Sequence, residues 1–184
     1  GNVVLMSQNF MTGKWEAGLK YLFPLFAFAL GVLIAEQIQH KYKYAKHLHW
    51  RQGILGAEII ILFIVGFIPQ RGNMIATVLV SFACAMQVQS FRKVNGFSYA
   101  STMCIGNLRS GTAALSFYLR ERRPEQLRQA MYYLGIIVLF AIGAGIGGNL
   151  SANYGIHMIW VSCGLLIVSF LLMFLDIEAR RSRA

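Results

Sequence analysis

The chain has 184 residues, of which 57% are hydrophobic and 13% charged, and its mean hydropathy is +0.54. This composition excludes a soluble globular domain and a disordered chain, because too few polar residues are present to cover a solvated surface. The net charge of +10 is divided into short clusters between apolar tracts, which is typical of the loops of a membrane protein and argues against nucleic acid as a partner.

The apolar tracts predict five membrane-spanning helices and one shorter segment. A bilayer core about 30 Å thick requires roughly 20 mostly apolar residues per helix, and the stretch 129–175 contains no Asp, Glu, Lys or Arg. In chain order, the predicted spans are 21–39, 53–69, 73–91, 129–150 and 156–175. The segment 100–119 is interrupted by Gly106, Arg109 and Gly111, so we expect it to be re-entrant or to lie in the membrane interface.

The positions of Lys and Arg predict the orientation of these spans. Basic residues cluster in the loop 40–51, at Arg92 and Lys93, in the loop 120–128 and after residue 175. Lys and Arg beside a span resist translocation, so these four clusters and the C-terminus are predicted to be cytoplasmic. Anionic lipid headgroups are the expected partners of the basic residues at that face.

The chain also resembles itself, which indicates an internal duplication. Three features recur in the same order in both halves: the pairs Gly1–Asn2 and Gly106–Asn107, the apolar runs 26–31 and 140–145, and the His-x-x-Trp motifs His47–Trp50 and His157–Trp160. We assign the first repeat unit to 1–71 and the second to 72–184, together forming one membrane domain.

The second unit has a full span before its Gly–Asn pair, whereas the first unit has none, so about one helix is expected to be absent from this sequence. Restoring it gives three spans per unit, and an odd number reverses the orientation of one unit relative to the other. We therefore expect an all-α polytopic membrane protein, a six-span bundle of two inverted three-helix repeats. Its Gly–Asn segments would be short and re-entrant or interfacial.

The Gly–Asn pairs, the run Phe-Ala-Cys-Ala-Met-Gln-Val-Gln at 82–89 with Arg92 downstream, and the Thr-containing stretch before the second Gly–Asn together resemble the YoaK-like family of bacterial inner-membrane proteins. The resemblance covers essentially the whole chain. It implies a six-helix protein of the bacterial inner membrane and supplies no established activity. The family pattern favours Thr-Gly-Asn, whereas the second copy here reads Ile105-Gly106-Asn107.

The Gly–Asn pairs are the leading candidates for a functional site. Gly1 and Gly106 permit a break or a close backbone approach, while Asn2 and Asn107 offer both a donor and an acceptor. The two asparagines either line a solute path or cap the helices that follow them. Arg109 either selects anions or extends to lipid phosphates.

Other polar residues lie inside predicted spans. Gln87 either contacts a substrate or hydrogen-bonds to a neighbouring helix. Glu36 and Glu58 are the acids within full spans, each predicted about one turn from the cytoplasmic end, where they serve proton coupling or form ion pairs. Gly143 and Gly147 form a Gly-x-x-x-Gly motif, which favours close helix packing within the bundle or across a homodimer.

The sequence contains no nucleophile–base pair, phosphate loop or catalytic carboxylate pair, so we expect no enzymatic activity, cofactor or metal site. The expected function is a small-solute transporter or channel, with a path between the Gly–Asn segments. The alternative is a non-transporting scaffold or regulatory subunit that acts through helix–helix association. Polar groups open to water in the membrane would favour transport, whereas a dry bundle with all polar groups mutually bonded would favour the scaffold.

Overall fold

The computed structural model describes residues 2–42, 50–94, 97–99, 101 and 104–181. This part of the chain forms seven α-helices, in chain order α1 (Asn2–Met11), α2 (Trp15–Tyr42), α3 (Trp50–Val65), α4 (Asn73–Ser90), α5 (Cys104–Glu121), α6 (Pro124–Tyr154) and α7 (Ile159–Arg181). Single 3-10 turns at Gln70–Gly72 and Ile156–Met158 precede α4 and α7. Strands β1 (Lys93–Val94) and β2 (Phe97–Ser98) form one antiparallel pair between α4 and α5.

Each of the five predicted spans lies largely within a helix. Four helical stretches are long and apolar enough to cross a bilayer, namely Trp15–Tyr42, Gln70–Ser90, Pro124–Tyr154 and Ile156–Leu175. These lengths and compositions are consistent with a multi-pass membrane protein. Helix α3 has only 16 residues and ends four residues before the predicted end of its span. Beyond Val65 the backbone continues in tighter turns, with Phe67 N–H donating to Ile64 and Ile68 N–H to Val65, and Pro69 disfavours helical backbone at Ile68.

Gly106, Arg109 and Gly111 interrupt the apolar run of the segment 100–119, but they do not break its helix. Helix α5 runs from Cys104 to Glu121 without a break, so its re-entrant or interfacial placement stays a prediction, and Gly111 serves packing. A Cβ at Gly111 would lie 2.9 Å from the Cβ of Tyr133 on α6, so the absent side chain lets α5 and α6 approach. Arg122, with φ of 56°, then ends α5 in the left-handed region common at helix C-termini.

The helices divide into two units, which are residues 1–90 with 154–184 and residues 91–153. In the first unit, α1 packs on α2, α2 on α4, α4 on α3, and α3 on α7. The closest approach joins α2 to α4 at Gly31. A Cβ at this position would lie 2.5 Å from the carbonyl oxygen of Phe82 and 2.8 Å from the Cβ of Ala85, so only glycine allows this contact.

Helices α3 and α7 are joined at the C-terminal end of α3, where the last backbone carbonyls have no amide donor within the helix. The indole Nε1 of Trp160 donates to the carbonyl of Phe63 at 3.2 Å. The Nδ1 of His157 donates to the carbonyl of Gly66 at 2.9 Å. The sequence pattern singled out His157 and Trp160 as repeat residues, and the structure gives them this joining role.

We expect Gly31→Ala to lower the free energy of unfolding by about 1–3 kcal/mol, because the added methyl group meets backbone as well as side-chain atoms. Gly56→Ala on α3 is the matched control, since no atom lies within 4 Å of its Cβ position, and alanine favours helix. Denaturation of both variants in mixed micelles, followed by circular dichroism, measures the difference. Equal stability of the two variants would contradict the close α2–α4 contact.

Candidate functional site

Polar side chains meet where α2 and α4 end and α3 begins. We call this group, Glu36, Arg51, Gln89 and Ser90, the polar junction. The Nε2 of Gln89 donates to Glu36 Oε1, which joins α4 to α2. The Nε of Arg51 donates to the backbone carbonyl of Ser90 at 3.1 Å, which joins α3 to α4. Three helices are thus held together by side chains at one end of the first unit.

The ends of α3 and α4 explain why these residues meet. The last carbonyls of α4 carry partial negative charge, so the guanidinium of Arg51 is a suitable donor to them. The Ser90 hydroxyl donates back to the carbonyl of Met86 at 2.7 Å, and the Ser90 carbonyl, which has no amide donor within the helix, accepts from Arg51. The guanidinium carbon also lies 5.2 Å from the ring centre of Trp50, within cation–π range.

Several buried side-chain atoms have no hydrogen-bond partner in the described residues. They are Gln39 Oε1, Gln52 Nε2, Glu58 Oε2 and Ser101 Oγ. Gln52 and Glu58 are each only 3% exposed, and they lie on the same helix. A buried polar atom without a partner costs about 1–3 kcal/mol. Helix α3 therefore carries polar groups for which the described residues provide no hydrogen bond.

Glu58 is the ninth of the 16 residues of α3. Its neighbours four residues away, Ile54 and Leu62, are buried apolar residues on the same face. Helix α7 reaches this part of α3, since Cys163 Sγ lies 3.9 Å from the carbonyl of Ile59, the residue after Glu58. The prediction that Glu58 lies about one turn from a helix end is therefore wrong, because α3 begins at Trp50 and places Glu58 near its middle.

Most of the candidate residues near the second Gly–Asn pair lie in the first two turns of α5. Asn107 is buried, whereas Gly106 and Arg109 are exposed. Asn107 is the fourth residue of α5, so the interpretation that it caps this helix is wrong. Its burial keeps an amide inside the protein on the same face as Gly111 and Ala114.

The remaining candidates that the structure describes are Asn2 and Gln87. Asn2 is the exposed first residue of α1, and Gln87 is half-buried on α4. Both belong to the first unit, whereas Asn107 belongs to the second. Gly1 lies outside the described residues.

Gly143 and Gly147 are exposed, and no described atom lies within 4 Å of either Cβ position. The glycine face of α6 therefore has no packing partner among the described residues. The described residues also contain no group of three or more His, Cys, Asp or Glu side chains that could hold a metal ion. Of the histidines in the loop 40–51, His47 and His49 lie outside the described residues.

Gln52 and the pairing of Glu36 with Gln89 are not among the features predicted from the sequence. A signal for the first was present, because Gln52 lies in the same turn as the buried residues of α3 and only three residues before Leu55. The second had no local signal, since 53 residues separate Glu36 from Gln89 and only tertiary packing brings them together.

A family model described as a protein of unknown function (DUF1275) matches residues 1–172. The match extends from α1 into α7 and so includes the polar junction, Glu58 and the second Gly–Asn pair. No curated protein and no solved structure matches the chain significantly. The comparisons therefore assign a family and leave its activity open.

We expect the Glu36–Gln89 contact to contribute about 0.6–2 kcal/mol, the range for side-chain hydrogen bonds between membrane helices. A double-mutant cycle with Glu36→Ala, Gln89→Ala and the double variant measures this coupling as a difference in unfolding free energy. The pair Gln37→Ala and Gln89→Ala is the control, because Gln37 is exposed on the same helix. A coupling near zero for Glu36 would show that the contact is not formed in the membrane.

Proposed function

We propose that this chain, which belongs to the DUF1275 family of proteins of unknown function, is a transporter or channel for a small polar solute. The observation that carries the proposal is that Gln39, Gln52 and Glu58 each have a buried polar atom without a partner. In a dry bundle that serves only as a scaffold, such atoms would be bonded to one another, because their desolvation is costly. Water or a polar solute would supply the missing partners.

The order of the helices supports an architecture with two repeats. Helices α1, α2 and α3 have 10, 28 and 16 residues, and α5, α6 and α7 have 18, 31 and 23, so a long helix stands between two shorter ones in each set. We propose that these sets belong to two inverted three-helix units of a six-span bundle. Inverted repeats place solute sites near the membrane midplane.

The second Gly–Asn pair is the proposed lining of the path on α5. The amide of Asn107 is buried in a helix that is otherwise exposed over much of its surface, which is the position expected of a side chain that faces a path. On this proposal Asn2 is its counterpart in the first unit, Gln87 is a further contact, and Arg109 lies at the entrance.

We propose the bacterial inner membrane as the location, with a cytoplasmic C-terminus, as the resemblance to YoaK-like proteins implies. The turn between α5 and α6 supports this orientation. Its exposed arginines, Arg120, Arg122 and Arg123, would face anionic lipid headgroups at the cytoplasmic side. We propose no enzymatic activity, cofactor or nucleic-acid partner.

The alternative function, a scaffold or regulatory subunit, is favoured by one observation. The open face at Gly143 and Gly147 on α6 would allow a second helix to approach closely. This helix could come from a second copy of the chain. Crosslinking of Gly143→Cys in the membrane would detect such a homodimer.

Cysteine labelling along α5 tests the proposed path. In full-length protein without native cysteines, we expect Asn107→Cys and Ala114→Cys to react with a membrane-impermeant thiol reagent, because water in the path would allow the thiol to ionise. Ile105→Cys, at a position that is 85% exposed, is the matched control, and we expect lipid there to suppress its reaction at least tenfold.

The same experiment distinguishes the two functions. A candidate solute that slows labelling of Asn107→Cys without affecting a cysteine on the α5–α6 turn would support a solute path. Reaction confined to the exposed face of α5, and only from one side of the membrane, would make α5 an interfacial helix. This result would remove the path and favour the scaffold.

A further inference from the structure

We propose that Glu58 is an exchangeable proton-binding site within the first unit. As a coupling site its role rests on the proposed transport function, whereas proton binding by the carboxyl does not. The ligand class is the proton itself, and the reaction consists of one O–H bond formed or broken at the carboxyl, with water as the other proton carrier.

The position of Glu58 is the first support for this site. Glu58 is only 3% exposed, and its Oε2 has no hydrogen-bond partner among the described residues. At a rise of about 1.5 Å per residue, the carboxyl is about 10 Å along the helix from Arg51 and about 12 Å from Gly66. An acid at such a depth in a membrane protein marks an ion or proton pathway by default.

The surroundings of Glu58 favour a proton over a metal cation. Hard cations require several oxygen ligands, whereas the buried residues one turn away, Ile54, Leu55 and Leu62, are apolar. The described residues contain no cluster of acids, histidines and cysteines that could complete a metal site. A proton needs no further ligand, since the protonated carboxyl is neutral and loses the desolvation cost of the charge.

The titratable groups near Glu58 come from the helices packed against α3. On α4 and α7 they are the thiols of Cys84 and Cys163. Helix α2, which also touches α3, carries Glu36, and this carboxyl accepts from Gln89. On α3 itself, Arg51 donates to the carbonyl of Ser90. Neither Glu36 nor Arg51 is hydrogen-bonded to Glu58 among the described residues.

Infrared difference spectroscopy tests the proton directly. Full-length protein in lipid vesicles would be stepped through a pH series, with the carbonyl stretch of a protonated carboxylic acid as the readout. We expect a band in this region that is present at low pH, disappears as the pH rises, shifts in heavy water and is absent from Glu58→Gln. Glutamine keeps the size of the side chain and removes the exchangeable carboxyl proton.

Glu36→Gln is the matched control, because it removes the other acid of a membrane span and should leave the band unchanged. The proposal is overturned if the spectra of Glu58→Gln and the parent are identical, or if the band does not change with pH. Circular dichroism and gel filtration confirm that each variant is folded, and Glu58→Asp provides a second variant in which a shifted band is expected. Failure of the cysteine labelling on α5 would overturn the proposed path and leave the proton site intact.

Discussion

The close approach of α2 and α4 at Gly31 determines the positions of the polar groups in the first unit. With no Cβ at this position, the backbone of α4 can approach to the point where the carbonyl of Phe82 lies over α2. One turn beyond Gly31 on α2, this approach brings Glu36 opposite Gln89. Helix α3 then packs on the other side of α4, and the contact between Arg51 and Ser90 aligns the two helix ends.

Packing of this kind matters more in a membrane than in water, because lipid tails are as apolar as the helix surfaces and burial of apolar area contributes little. Small residues on α2, including Ala27, Gly31 and Ala35, provide van der Waals contact, and the polar junction adds hydrogen bonds. A small number of contacts therefore determines the positions of these helices. Glu58 shows the cost of this arrangement, since packing alone would be better served by an apolar side chain at the same place.

How well the sequence predicts each feature depends on how far apart along the chain the interacting residues lie. Apolar runs are local, and all five predicted spans fall largely within helices, although α3 ends four residues early at Val65. The start of α3 could not be placed from composition, because Arg51 and Gln52 are polar residues that composition assigns to a loop. Tertiary packing recruits them into the helix, and this shift of a few residues places Glu58 near the middle of α3.

Glycines proved the least predictable residues, since the same residue type can break a helix or let two helices meet. Gly106 and Gly111 interrupt an apolar run without breaking the helix, and the close approach of Tyr133 to Gly111 explains the second glycine within a continuous α5. The contact of Glu36 with Gln89 depends on a sequence separation of 53 residues. No local pattern carries such information, so the site could be predicted only as a set of candidate polar residues.

The proposed repeats give a separate reason to treat the buried Glu58 and the half-buried Glu36 as functional and not as requirements of the fold. The match that pairs Trp50 with Trp160 pairs Glu58 with Val168, and the match of 26–31 with 140–145 pairs Glu36 with Leu150. If each unit needed an acid for helix packing, its counterpart would keep a polar residue, yet Val168 is 54% exposed on an apolar face. On the proposed duplication, the counterpart position on α7 therefore carries no carboxyl. Glu58 itself lies between the buried apolar residues Ile54 and Leu62, which is the expected setting for a residue that binds a proton or contacts a solute.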